Sequence, residues 1–178
     1  MRSDARIMKL ETIFASFLAA FGLQAAELDL GAPLPDVSSK NHLGKVVKIG
    51  AAKENQWLLV FFYPKALTGG WTKQACSVRD AFEELTEKKV TVFGVSTDSV
   101  EKQKEFVDKN KLTYSLIADP EGKVAKALGV PLIFGGKLAS RSAFLFKDGK
   151  LVWKDMKGAT GTQGEDALKA IKKLEENE

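Results

Sequence analysis

Apolar positions along this chain fall either in unbroken runs or in helical stripes. Residues 57–63 (WLLVFFY) form a continuous apolar run closed by Pro64. A run of that length bounded by proline predicts a central strand buried on both faces. A loop holding Gly69 and Gly70 follows. Ala75, Val78, Phe82 and Leu85 then recur at three- and four-residue steps, predicting a helix with one inward stripe. Residues 90–96 (VTVFGVS) predict a second buried strand. Asp98 and Glu101 pattern as a capping-box pair for a helix running to about Lys109. Residues 114–118 (YSLIA) predict a third strand, after which Asp119, Pro120 and Glu121 open another helix, an acidic cap followed by proline at the first helical position. Residues 141–146 and 151–153 flank Asp148-Gly149, the two-residue turn of a hairpin. Thr162 and Glu165 cap a last helix that turns Leu168, Ile171 and Leu174 inward.

Ahead of the first buried strand, residues 27–56 hold short apolar stretches broken by Gly31, Pro33, Pro35, Gly44 and Gly50. They predict a loop and a small N-terminal hairpin, with residues 45–49 (KVVKI) as its strand. Buried strands alternating with helices give an α/β fold, layered around a mainly parallel core. Residues 1–26 differ in kind. Arg2, Arg6 and Lys9 precede an apolar run over 13–23, and Ala25 and Ala26 follow. A basic start, a short apolar middle and a small-residue end predict a signal peptide, hence a secreted or periplasmic domain over 27–178. The apolar run is too short for a stable membrane anchor. An amphipathic helix packed on the domain is the other reading of the segment.

The 178 residues suit one domain with a sizeable core. The formal charge of +4 is spread as KE, EK and KK pairs, the pattern of solvated helix faces, with no basic run interleaved with aromatics. Nucleic-acid binding is therefore not expected. With one cysteine, Cys76, and one histidine, His42, no intramolecular disulfide can form and no metal-ligand spacing is present. No cofactor is implied. His42 sits in a polar, turn-like stretch over 38–44 and reads as a surface residue.

The segment after the central strand carries the chemistry. Residues 64–80 (PKALTGGWTKQACSVRD) take the chain from a strand end through a glycine loop into a helix. A helix start presents unpaired N–H groups and a positive dipole end, which favour anions and thiolates. Residues 62–80 resemble the signature of the bacterioferritin-comigratory-protein, or Q-type, peroxiredoxins. That motif runs Pro-x-x-x-Thr-x-x-Cys, with a second cysteine five residues on. Pro64 and Thr68 match it, and Cys76 matches the second, resolving cysteine. Residues 95–99 (VSTDS), 116–120 (LIADP) and 141–145 (RSAFL) resemble further parts of the family, so the likeness spans about 28–176. It implies a thioredoxin-like fold with a central mixed sheet flanked by helices. It also implies thiol peroxidase activity toward hydroperoxides, a thioredoxin-like reductant, and a monomer or homodimer. Thr68 and Arg141 would hold the peroxide, and Pro64 would shield it.

The departures bear on function. Trp71 stands at the position of the peroxide-attacking cysteine, Gly69 replaces a usual proline and Leu67 a usual aspartate. An indole has no titratable lone pair near neutral pH and cannot act as the nucleophile. Cys76 lies five residues further on, about 140° around a helix and about 7.5 Å along it, away from the helix start. Three readings stay open: a peroxidase by descent that Trp71 impairs, a non-catalytic binding module on the same fold, and an active protein in which Trp71 is not the native residue.

Overall fold

A computed structural model describes residues 27–50, 56–67, 69–158 and 160–177, and of Trp71 the backbone alone. The 1–26 segment expected to act in export lies outside the described residues, as does Thr68. In chain order the elements begin with β1 (Ser38–Asn41), β2 (Val46–Lys48), β3 (Trp57–Phe62), α1 (Gly69–Asp80), α2 (Phe82–Glu87), β4 (Val90–Ser96) and α3 (Val100–Asn110). They continue with β5 (Ser115–Ala118), α4 (Lys123–Ala127), β6 (Leu132–Ile133), β7 (Leu138–Ala139), β8 (Ser142–Lys147), β9 (Lys150–Asp155) and α5 (Gln163–Glu175).

Seven strands form one sheet in the order β2-β1-β5-β4-β3-β8-β9. β3 pairs parallel with β4, and β4 with β5, while both wings are antiparallel. The core is therefore mixed, with parallel pairing confined to its centre. This is the expected thioredoxin-like plan. Every residue of β3 is buried because both faces are covered. Leu59, Phe61 and Tyr63 face α1, α2, α3 and α5, and Leu58, Val60 and Phe62 face α4 and the N-terminal segment.

Several local expectations are corrected. Residues 38–41 are not a turn but a strand, β1, which joins β2 to the edge of β5. The turn begins at Asn41, whose Oδ1 accepts the Leu43 and Lys45 N–H groups at 3.0 Å each. His42 is half-buried at that edge, and its Nδ1 accepts the Leu116 N–H at 3.3 Å. Gly69 and Gly70 belong to α1 and do not precede it, and the inward stripe is divided between α1 and α2 at Ala81. Ser99, not Asp98, caps α3, accepting the Lys102 N–H at 3.4 Å. The residue before α4 is Gly122 in the left-handed region. Asp119, three positions earlier, still accepts the Val124 and Ala125 N–H groups at 3.1 and 2.9 Å. Thr162 donates to Asp166 Oδ2 at 2.7 Å and does not cap α5 with its side chain. Asp148 and Gly149 both have positive φ, 51° and 75°, as the expected hairpin turn requires.

Asp98 instead belongs to a buried network at the C-terminal ends of the parallel strands. Its Oδ2 accepts the Ala66 N–H at 2.7 Å and the Ser96 hydroxyl at 2.8 Å. Ser96 Oγ in turn accepts from Gln103 Nε2 at 2.9 Å and from the Asp98 N–H at 3.2 Å. Gln103 also donates to the Ile117 carbonyl at 2.9 Å and accepts from the Tyr63 hydroxyl. Burial pushes the Tyr63 phenol far above its usual range, so it stays a donor. The network joins the ends of β3, β4 and β5 to α3 and fixes the loop leading into α1.

Two outcomes follow. Asp98→Ala leaves the Ala66 N–H without its buried partner and is expected to cost about 1–3 kcal/mol in urea unfolding. An unchanged midpoint would contradict the role assigned to Asp98. For His42, burial holds the imidazole pKa below its ordinary 6.5, and Lys104 and Asp108 on α3 act on it in opposite directions. Its contribution is full above pH 6.5 and is lost as pH falls through the lower folded value. Acidification through that window should therefore lower the unfolding temperature more in the unmodified chain than in His42→Gln; parallel curves would refute the linkage.

Candidate functional site

The site forms where β3 hands over to α1. The β3–β4 ladder continues one step past the strand, with the Tyr63 N–H donating to the Val95 carbonyl at 3.1 Å. Pro64 is buried in the bend that follows. Ala66 is buried and tied to Asp98. Leu67 takes φ 61° and packs on the core beneath the helices. A leucine in the left-handed region is strained, and the Asp98 bond and core packing hold it there. Helix α1 then starts at Gly69, which puts position 71 in its first turn. Helical spacing places that position on the same face as the fully buried Ala75 and Val78.

Arg141 reaches the same sheet end by strand register. β8 runs antiparallel to β3 with Ser142 opposite Phe62, so Arg141 comes opposite Tyr63, beside Pro64. It is half-buried against Gly158. A Cβ on Gly158 would lie 2.7 Å from the Arg141 Cβ, and Gly158 has φ 54°, so glycine is required there twice over. The Asp155 carboxylate shapes this turn by accepting the Lys157 and Gly158 N–H groups at 2.9 and 3.1 Å. The structure thus brings Pro64, position 71 and Arg141 to one end of the sheet.

Cys76 is not among them. It is a free, half-buried thiol in the body of α1. α1 runs unbroken from Gly69 to Asp80, so the helical arithmetic holds: Cys76 lies about 140° around from position 71 and more than a turn inside. At that depth the backbone N–H groups are already used within the helix.

α5 pins α1 one turn beyond position 71. The Gly164 N–H donates to Ser77 Oγ at 3.0 Å, and a Cβ on Gly164 would come within 2.5 Å of the Ser77 carbonyl oxygen. Gln74 Nε2 donates to Gln163 Oε1 at 3.2 Å and lies 3.4 Å from the Phe62 carbonyl. Gln74 Oε1 and Gln163 Nε2 have no partner among the described residues, although both side chains are fully buried. Sequence reasoning missed this pair. A glutamine beside Ala75 on an inward stripe was the available signal. It also misread Asp98, whose place at a strand end looks the same as that of a cap.

Among the described residues no cluster of histidine, cysteine and carboxylate side chains could hold a metal. No described helix is long and apolar enough to cross a membrane.

Similarity to known proteins agrees with this arrangement. The AhpC/TSA family matches residues 30–154. The peroxiredoxin bcp1 of Schizosaccharomyces pombe is 36% identical over 122 residues, which is 68% of this chain and 62% of that protein. The chain thus spans less than two thirds of the yeast protein's length. The peroxiredoxin Bcp of Bacillus subtilis is 34% identical over 155 residues, 84% of this chain and 98% of that protein. Among solved structures, the peroxidoxin BcpB of Mycobacterium tuberculosis superposes with a TM-score of 0.76 at 28% identity, over 83% of this chain and 99% of that one. The fold, the motif and these relatives agree, and the chain belongs to the AhpC/TSA family of peroxiredoxins.

Proposed function

We propose that this chain is a thiol peroxidase by descent whose peroxide chemistry is impaired at a single position. In the mechanism that the likeness implies, a thiolate in the first turn of α1 attacks one peroxide oxygen. The O–O bond breaks, the leaving alkoxide takes a proton, and the sulfur becomes a sulfenic acid. A second thiol then displaces water from that sulfur to form a disulfide, which a thioredoxin-like protein reduces. Pro64, Thr68 and Arg141 are the residues proposed to shield and hold the peroxide. Arginine suits the role as a fixed, always-charged donor fork.

One observation carries the impairment. Position 71, at the helix start, is Trp, while the sole sulfur nucleophile, Cys76, sits inside an unbroken helix. The first step then has no thiolate where the helix end and Arg141 could stabilise it. The second reading, a non-catalytic binding module on the same scaffold, rests on the same observation, because the fold persists without the nucleophile. Export is proposed from the basic, apolar and small-residue order of residues 1–26, and N-terminal sequencing of the exported protein tests it.

Peroxide consumption with dithiothreitol tests the chemistry. The unmodified chain is expected to stay at background. Trp71→Cys is expected to turn over, with a gain of many orders of magnitude over the uncatalysed reaction. Rapid turnover by the unmodified chain that Cys76→Ser abolishes would refute the impairment. A silent Trp71→Cys that is folded would show that Gly69 or Leu67 also disables the site.

A further inference from the structure

The bend between β3 and α1 is held at both ends by one buried network. At its start, the Tyr63 hydroxyl donates to Gln103 Oε1. At its end, the Ala66 N–H donates to Asp98 Oδ2 at 2.7 Å. Only Pro64 and Lys65 lie between these anchors. Tyr63, Ala66, Ser96, Asp98 and Gln103 are all buried, so water competes little for their hydrogen bonds.

The carboxylate is itself oriented from behind. The Ser96 hydroxyl donates to the same Oδ2 at 2.8 Å, and Gln103 Nε2 donates to Ser96 Oγ at 2.9 Å. Gln103 is fixed in turn by the Ile117 carbonyl, also at 2.9 Å. Asp98 therefore presents one oxygen to Ala66 at a set place.

The chain after Ala66 needs that anchor. Leu67 takes φ 61°, which a leucine keeps only where its flanks impose it. Helix α1 begins at Gly69, and its first turn carries the unpaired N–H groups that favour a thiolate at position 71. Arg141 is placed separately, at the end of β8, by strand register. A shift of the Ala66 amide would therefore move the helix start relative to Arg141.

We propose that Asp98 is a positioning residue of the peroxide site. Through the Ala66 amide it sets the first turn of α1 against Arg141, by geometry and not by its charge. The proposal rests on the peroxidase reading of the site, and it names the residue on which a thiolate at position 71 depends.

Thiol titration, followed by thiolate absorbance, separates geometry from charge. Trp71→Cys in a Cys76→Ser background leaves one thiol, expected to titrate below the ordinary value of about 8.5. Losing a nearby carboxylate charge lowers a thiol pKa, whereas losing the helix-start N–H groups raises it. Asp98→Asn removes the charge but keeps an oxygen for the Ala66 N–H, so the thiol should titrate no higher than in its parent. Asp98→Ala removes both, and its thiolate fraction at neutral pH should fall about tenfold below that of Asp98→Asn. Ser96→Ala keeps the charge but frees the carboxylate to turn, and should act in the same direction as Asp98→Ala. It serves in place of Asp98→Ala should circular dichroism show that variant unfolded.

Hydrogen exchange on the chain with Trp71 in place needs no thiol there and tests the same placement. Exchange over residues 66–76 should rise at least about tenfold in Asp98→Ala, stay near the parent in Asp98→Asn, and leave α5 at its own rate. Equal thiol titration in folded Asp98→Ala and Asp98→Asn, or unaltered exchange in Asp98→Ala, would overturn the proposal. A parent thiol that titrates as an ordinary cysteine would count against the peroxidase reading instead, and the exchange result would then decide the positioning role.

Discussion

The hydrogen bond from the Ala66 N–H to the buried Asp98 carboxylate sets where α1 begins. Without it, the chain leaving β3 has no fixed path, and the left-handed Leu67 has no reason to persist. Through Ser96 and Gln103 the same carboxylate is coupled to the ends of β4 and β5 and to α3. Position 71 and Pro64 both inherit their placement from this knot. It is built from neutral donors and one carboxylate, so it holds geometry without bringing a second charge into the core.

This separation of scaffold from chemistry explains how a peroxiredoxin fold can stand with an indole at position 71. The parallel centre of the sheet, the Asp98 network and the α1–α5 contact use no sulfur atom. Arg141 is placed by strand register and by Gly158, independent of what occupies the helix start. Cys76 is a helix residue in the body of α1 and contributes no geometry to the site. The fold therefore imposes no requirement for thiol chemistry, and the proposed impairment rests on one side chain.

The sequence made the buried strands legible because a strand covered on both faces has no polar alternation to blur it; residues 57–63 and 90–96 are such cases. Asp148-Gly149 was legible because few residues accept two consecutive positive φ values. β1 was not, because Ser38, Ser39, Lys40 and Asn41 look like a turn and become a strand only by pairing with β2 and β5. Caps were misread for a related reason. An aspartate at a strand end can cap a helix or receive a distant N–H, and Asp98 does the latter across 32 residues. The site positions Pro64, position 71 and Arg141 were legible by likeness. Their convergence depends on the antiparallel register of β8 against β3, a long-range pairing that no local pattern contains.

The central claim is that no sulfur in this chain reacts with peroxide as a peroxiredoxin nucleophile does. Mass spectrometry of the unmodified chain after brief exposure to stoichiometric hydrogen peroxide reads it directly. The account predicts that Cys76 oxidises no faster than a free-thiol control and stays largely a reduced thiol over the brief exposure. Rapid, stoichiometric conversion of Cys76 to a sulfenic acid or to an intermolecular disulfide would contradict it.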